Sequence, residues 1–206
     1  MKHKTTRPIF PSPADAITTS RLLLRPIQAS DLPAIHVLRT RIEVMKWTSQ
    51  GRNDVDEDAT QVWMNRFLPP NDATTFNFAV EELSSPGKAI GVLGCHIPEP
   101  PEVGYMFVEE VWGRGYATEA LQAWLQAYWH LPRNEVALEE DWPQAQEVDE
   151  SLEVVRADTD ADNIASGRIL AKCGFIKVGE TMIERSGATV KMITHVSSRF
   201  TYDLSH

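Results

Sequence analysis

Cysteine is scarce in this chain: its 206 residues include two, Cys95 and Cys173. Two isolated thiols exclude a disulfide framework and predict buried, reduced side chains. Long apolar runs are absent, so no segment reads as a bilayer span. Met1-Lys2-His3-Lys4 is basic but lacks the apolar stretch of a secretory signal. A soluble cytosolic protein is expected, and a nuclear one would read the same. Basic residues are in deficit, 20 Lys and Arg against 29 Asp and Glu, for a net charge of −9. That balance argues against direct nucleic-acid binding, which needs clustered cations. It fits a cationic substrate, although an acidic surface also aids solubility. The six histidines and two cysteines show no ligand spacing, so no metal site is expected. Repeats and low-complexity segments are also missing.

What is present is a globular balance, with 42% hydrophobic and 24% charged residues. Residues 1–18, with Pro8, Pro11 and Pro13, read as an extended or mobile arm. Residues 19–206 read as one domain. Arg21 to Arg25 predicts a first strand, stopped by Pro26. Ser30 is expected to cap a helix carrying Leu32, Ile35, Leu38 and Ile42 at helical spacing. Asp54, Asp56, Glu57 and Asp58 suit the start of a second helix, with Val62, Trp63 and Phe67 on its apolar face. Thr75 to Val80 and Lys88 to Ile97 predict a hairpin. Between Asn134 and Val155 stand eight acidic residues and no basic ones, read as an acidic surface insertion at about 133–150. Leu152 to Val155 predicts a strand, Asp162-Asn163 a helix cap, and Gly174 a helix end. Two last strands flank Ser186-Gly187. Strands and helices mingle along the chain, which points to one α/β or α+β domain with a mainly antiparallel sheet.

The stretch that organises the rest is Trp112-Gly113-Arg114-Gly115-Tyr116-Ala117-Thr118-Glu119-Ala120. The apolar run Val103 to Val108 leads in, and a helical pattern from Ala117 to Trp129 leads out. Such a turn presents free N–H groups at the positive end of a helix dipole, where an anion binds. It lacks the Gly-Lys-Ser/Thr of a Walker loop. Thr118 stands where a dinucleotide fingerprint needs a third glycine or alanine. A tight turn without a ligand is the competing reading of these residues alone.

Tyr105 through Ala120 resembles the acetyl-CoA loop of the GNAT superfamily, and more narrowly that of the ribosomal-protein alanine N-acetyltransferases. Thr19-Ser20-Arg21-Leu22-Leu23-Leu24-Arg25-Pro26 with Ser30-Asp31-Leu32 is similar to that branch's opening. Asn163-Ile164-Ala165-Ser166 with Leu170-Ala171-Lys172-Cys173-Gly174-Phe175 is similar to its late motif. The resemblance runs from about residue 19 to 195. It implies a mixed, mostly antiparallel sheet splayed into a V and flanked by helices, with pantetheine in the split. It implies acetyl-CoA as co-substrate, its diphosphate on the N–H groups of Gly113, Arg114, Gly115, Tyr116 and Ala117, with the Thr118 hydroxyl. Backbone groups of Phe107 and Val108 would meet pantetheine, and Asn163 would reach it from the other wall; Asn163 also suits a plain helix cap. Glu110 stands where the family often has Gln or Arg.

Acetyl transfer to an amine requires the ammonium, with a pKa of about 10.4, to lose a proton. Glu102, just ahead of the central strand, is the first candidate base, and an exposed strand-end carboxylate is the competing reading. Glu109 and His96 are weaker candidates. Many family members use a tyrosine on the late helix, where this chain has Leu170. Ser166 is the polar residue offered instead, as a hydrogen-bond donor to sulfur. Tyr105 is a further option or a packed core residue. Trp47, Trp63 and Phe67 either shape an acceptor pocket or belong to the core. The expected activity is direct acetyl transfer in a ternary complex to a primary amine, either a protein N-terminus or a small molecule. The alternative is a non-catalytic acyl-CoA sensor. A monomer or a homodimer fits equally.

Overall fold

Apolar and polar residues alternate through Phe76-Asn77-Phe78-Ala79-Val80, and the alternation sorts side chains onto two faces of a strand. The computed structural model, which describes residues 4–98, 101–137 and 153–198, shows both faces covered. Its strands are β1 (Lys4–Pro8), β2 (Ile17–Thr18), β3 (Leu22–Pro26), β4 (Phe76–Glu82), β5 (Ser85–Pro98), β6 (Pro101–Phe107), β7 (Arg133–Ala137), β8 (Val154–Asp160), β9 (Ile176–Arg185) and β10 (Ala188–Ser198). The helices are α1 (Leu32–Arg39), α2 (Ile42–Met45), α3 (Glu57–Met64), α4 (Tyr116–His130) and α5 (Ile164–Lys172). Among the described residues, no helix is long and apolar enough to cross a membrane.

Eight strands form one sheet in the order β2-β3-β4-β5-β6-β8-β10-β9. Every pairing in it is antiparallel except β6 with β8. That parallel ladder has a single register pair, Glu102 with Arg156. Beyond it the two strands share no ladder, and the sheet opens between them. The mixed, mostly antiparallel sheet expected from the sequence is what the chain builds.

One face packs on α4. Leu22, Leu24, Phe78, Leu93, Val103 and Phe107 meet Leu121, Trp124, Leu125 and Tyr128, all buried. Trp124 is fully buried, and its indole N–H donates to the Phe76 carbonyl at 3.0 Å, so its one polar atom is satisfied. The other face packs on α1 and α3, where Ile35, Met64 and Phe67 meet Ile27, Ala79 and Val92.

Several local expectations are corrected. Residues 4–8 are a strand paired with β7, so that part of the N-terminal arm is held by Arg133–Ala137. The same pairing moves the start of the acidic insertion past Ala137; the rest of that insertion, 138–150, lies outside the described residues. Ser30 does not cap α1. Asp31 holds the N-cap position of α1 without a side-chain cap bond, and its carboxylate instead closes the 3-10 turn Ala29–Asp31 by accepting from the Gln28 N–H at 2.8 Å while it is ion-paired with Arg25 at 2.7 Å. Arg25 also pairs with Glu81 on β4, so one buried network ties β3, β4 and the start of α1. Val62 is 70% exposed rather than core-facing, and the buried positions of α3 are Thr60 and Met64.

Asp54 is the largest departure. It does not open a helix. Asp56 caps α3 by accepting from the Ala59 N–H, and Asp54 is buried against Arg39. Its carboxylate accepts from Arg39 at 2.6 and 2.8 Å, from Gln50 at 2.8 Å and from Thr60 at 2.7 Å. Burial works to raise its pKa, and these hydrogen bonds outweigh it, holding the group below the ordinary carboxylate value. A depressed folded-state pKa contributes stability above the unfolded pKa, and that stability is lost as pH falls through the folded one. Asp54→Ala would leave Arg39 buried without its partner, at a cost of about 3–5 kcal/mol. Calorimetry should show a fall in Tm of about 6–20 °C at neutral pH, with the gap to wild type closing in acid.

Candidate active site

The opening between β6 and β8 has two sides, set by strand alternation. Val103, Tyr105 and Phe107 face the layer of α4 and belong to or pack on its core, whereas Met106 packs with α1 and α3. Glu102 has the parity of Met106 and therefore faces the second layer. On β8, Val155 and Ala157 join the α4 core, which turns Arg156 and Asp158 toward the Glu102 side.

At the far end of β6 the chain makes one 3-10 turn, Glu109–Val111, then the glycine turn. Gly113 and Gly115 have φ of +75° and +80°, a region that a Cβ disfavours. A Cβ at Gly113 would meet nothing within 4 Å, so the backbone there is open to close approach. The first ladder bond of α4 runs from the Glu119 N–H to the Gly115 carbonyl at 3.0 Å. The N–H groups of Tyr116, Ala117 and Thr118 precede that bond and are not used by the helix. This is the geometry of an anion cradle.

The turn is held from outside by a residue with no role assigned from the sequence. Arg21, immediately before β3, donates from Nη1 to the Arg114 carbonyl at 3.0 Å and stacks over the Tyr116 ring at 4.5 Å. Its Nε donates to Glu119 at 2.7 Å. Glu119 also accepts from Thr19 at 2.6 Å, Ser20 at 3.0 Å and the Arg21 N–H at 3.0 Å. Burial would raise the Glu119 pKa, but these donors more than offset it and keep the carboxylate ionised. Arg21 lies within the opening motif quoted above. Its contact with a helix almost a hundred residues later is a tertiary fact that no local pattern carries.

Glu110, at the position where the family often has Gln or Arg, pairs with Arg41 at 2.9 Å. Glu109 is drawn the same way, at 3.5 Å from Arg41. The weaker base candidate Glu109 is thereby tied to the α1–α2 junction. The His96 side chain lies outside the described residues.

The expectation for Phe107 and Val108 divides. The Val108 N–H donates to the Ile90 carbonyl at 2.9 Å, and its carbonyl accepts from Val111. Both Val108 groups thus make bonds within the chain, on the β5 side of the strand. Antiparallel ladders alternate bonded and non-bonded pairs. With Val108 bonded to β5, the backbone groups of Phe107 and Tyr105 point to the other side, toward the opening. The Phe107 carbonyl there already accepts from the Trp112 indole at 2.8 Å. The alternation that decides this depends on the register with β5, which the sequence does not display.

Across the opening, Asn163 caps α5, its Oδ1 accepting from the Ser166 N–H at 3.1 Å. The plain cap is thus realised, and the side-chain amide N–H₂ has no partner among the described residues. Tyr105 and Ser166 are brought together, hydroxyl to hydroxyl at 2.7 Å, bridging β6 and α5. Burial raises the Tyr105 pKa well above its ordinary value, with Ser166 offsetting little, so the phenol stays protonated at neutral pH and can donate. Leu170 is fully buried. Glu102 stands apart on the opposite side. Burial and the nearby Asp158 raise its pKa above the ordinary carboxylate value, and Arg156 pulls back only in part. Lys46 lies over the Trp47 ring, and Trp63 packs edge to face on Phe67. Cys173 is fully buried, and burial pushes its thiol up to about 12. Cys95 is fully buried as well. Neither sulfur is poised as a nucleophile.

The family model for the acetyltransferase (GNAT) domain matches residues 21–176. The chain belongs to the GNAT acetyltransferase family. No curated protein sequence matches it. Solved structures do. A GNAT-family acetyltransferase from Bacillus anthracis superposes with a TM-score of 0.68 at 22% identity, over 89% of this chain and 98% of that one. Spermidine N-acetyltransferase from Vibrio cholerae, in complex with CoA and spermine, gives 0.68 at 18% identity over 89% and 99% of the two chains. A ribosomal L7/L12 alpha-N-protein acetyltransferase in complex with coenzyme A gives 0.68 at 17% identity over 89% and 98%. At these identities the likeness is one of fold, and it is the family model that places this GNAT domain among the acetyltransferases.

Proposed function

We propose that this GNAT domain transfers an acetyl group from acetyl-CoA to a primary amine, by direct attack in a ternary complex. The carrying observation is that one strand, β6, joins the open glycine turn at one end to a half-buried carboxylate, Glu102, at the other, beside the gap in the sheet. The exposed Gly113 backbone and the unused N–H groups of Tyr116 to Thr118 suit a diphosphate. Phe107 and Tyr105 offer backbone groups along the gap, and Asn163 offers its free amide from the far wall. The acceptor enters from the side of Glu102, α1 and α3. Glu102 takes a proton from the ammonium, directly or through water. The amine lone pair then forms the C–N bond as the C–S bond breaks, coenzyme A leaves as the thiolate, and the second proton lost by the nitrogen restores it to the thiol, directly or through water. Tyr105 and Ser166 lie on the opposite side, where a hydroxyl can donate to the departing sulfur. The buried state of both cysteines supports direct transfer over a covalent relay. Known relatives of this fold act on spermidine and on a ribosomal protein N-terminus, and either amine class suits an acidic chain.

Thiol release from acetyl-CoA, measured against polyamines and N-terminal peptides, tests this reading. Acceptor-dependent release supports it. Tight coenzyme A binding with no release on any acceptor would leave an acyl-CoA sensor, and failure to bind would remove both. Tyr105→Phe should lower kcat by about tenfold or more, with little change in KM for acetyl-CoA, because the lost hydroxyl acts on the leaving group. Steady-state kinetics on the best acceptor checks this.

A further inference from the structure

A cavity of about 510 Å³ is lined by residues of α1, α3 and the segments beside them, and none of its lining residues borders the gap between β6 and β8. Its walls include Arg39, Arg52 and Arg66, with Trp63, Val55 and Val62. Three guanidinium groups thus share one cavity in a chain whose net charge is −9. Only one carboxylate, Asp54, is among the lining residues. Both of its oxygens are already engaged by Arg39, Gln50 and Thr60, so its capacity is used. Arg66 makes one hydrogen bond, at 3.3 Å to the Trp63 carbonyl, and has no acidic partner among the described residues. Arg52 has none by its side chain either. Arg39 is 3% exposed, and its Nη1 has no partner among the described residues, while Nε and Nη2 are held by Asp54 and Gln50.

Asp54 compensates Arg39, which leaves Arg52 and Arg66 on the wall without a carboxylate of their own, a local positive excess that an oxyanion would complement. Burial and the charge of Arg39 both depress the Arg66 pKa. The apolar part of the wall is equally unsatisfied. Val55 is 79% and Val62 70% exposed. The Trp63 ring lies 4.4 Å from the Arg39 guanidinium and 5.5 Å from that of Arg66, which places a flat surface beside the cations. The paired oxygens of a carboxylate or a phosphate match guanidinium forks, and a flat apolar body matches an indole flanked by valines.

We infer that this cavity is a second ligand site, for a small organic anion that carries a carboxylate or phosphate on a flat apolar body. Arg52 and Arg66 hold the anion, with Arg39 behind them, and Trp63, Val55 and Val62 cover the body. The site does not depend on the acetyl-transfer reading, since it shares no residue with the glycine turn or with Glu102.

Isothermal titration of the full chain with phenyl phosphate and benzoate tests the site. Inorganic phosphate and benzylamine serve as partial probes. Each titration is repeated with saturating coenzyme A, which separates this cavity from the glycine turn. The expected result is saturable binding of at least one aromatic anion that coenzyme A does not displace. It should weaken by about tenfold or more in an Arg52→Ala/Arg66→Ala double variant, the loss of at least one charge-assisted hydrogen bond. Both side chains are exposed, so the variant should keep the wild-type Tm, which thermal denaturation checks. Four results would overturn the inference: no saturable binding by either aromatic anion, full displacement by coenzyme A, undiminished affinity in the folded double variant, or equal binding of benzylamine. Inorganic phosphate that binds as tightly as phenyl phosphate would overturn the assignment of an apolar body.

Discussion

Replacing Gly115 with valine should weaken acetyl-CoA binding by about 10- to 100-fold while the chain remains folded. The residue has φ of +80° and caps α4. An L-residue in that region costs about 1–2 kcal/mol, and a β-branched side chain costs more. The chain can avoid the cost only by turning the peptide planes on either side. One of those planes carries the Arg114 carbonyl that accepts from Arg21, and the other carries the Gly115 carbonyl that accepts from Glu119. Either rotation re-aims the N–H groups that lead into α4. The core should be spared, because a Cβ at Gly115 meets only Arg21 Nη2, at 3.6 Å. Each 1.4 kcal/mol of lost binding is tenfold in Kd, which gives the range above. Isothermal titration with coenzyme A, beside a circular dichroism melt, separates the two effects. Unchanged affinity would contradict the cradle. Equal loss of affinity and of fold would show that the turn serves the helix rather than a ligand.

Features with local causes were legible in the sequence. The strand-glycine-helix passage at 103–130 needs only an apolar run, two glycines and a helical period. The Asn163 cap and the Gly174 stop need only neighbours on the chain. Ser186-Gly187 turns the β9–β10 hairpin with φ of 53° and 80°, as a tight two-residue turn requires. The misread features have distant causes. Asp54 looked like a helix-start charge because its partner Arg39 is fifteen residues away on another helix. Arg21 looked like a strand residue, and its contacts are with the glycine turn and α4. The pairing of Tyr105 with Ser166 joins residues 61 positions apart, each suspected singly. The polar residues that build the site were recognisable by type, and their partners came from the topology.

Glu102→Gln should reduce kcat by about 100-fold or more, the scale of a lost general base, while KM for acetyl-CoA stays near its wild-type value. The carboxylate is nearly isosteric with the amide, so packing at the start of β6 is preserved and only the proton acceptor is removed. The stability readout should move in the opposite direction. Burial and Asp158 raise the Glu102 pKa in the fold. A carboxyl whose folded pKa lies above its unfolded value favours folding when protonated, and that contribution is lost as pH rises through the folded pKa. At neutral pH the ionised Glu102 is therefore a burden on the fold, and glutamine relieves it. The Tm of the variant should exceed wild type at neutral pH and converge with it in acid. The pH profile supplies a third readout. Wild-type kcat/KM should fall on the acid side through the raised Glu102 pKa, and in the variant that limb should vanish, leaving the ionisation of the amine. A merely structural Glu102 would give the reverse pattern, with Tm lowered and both the rate and its acid limb retained. A lower rate with a higher neutral-pH Tm is what a proton acceptor held against its own solvation requires.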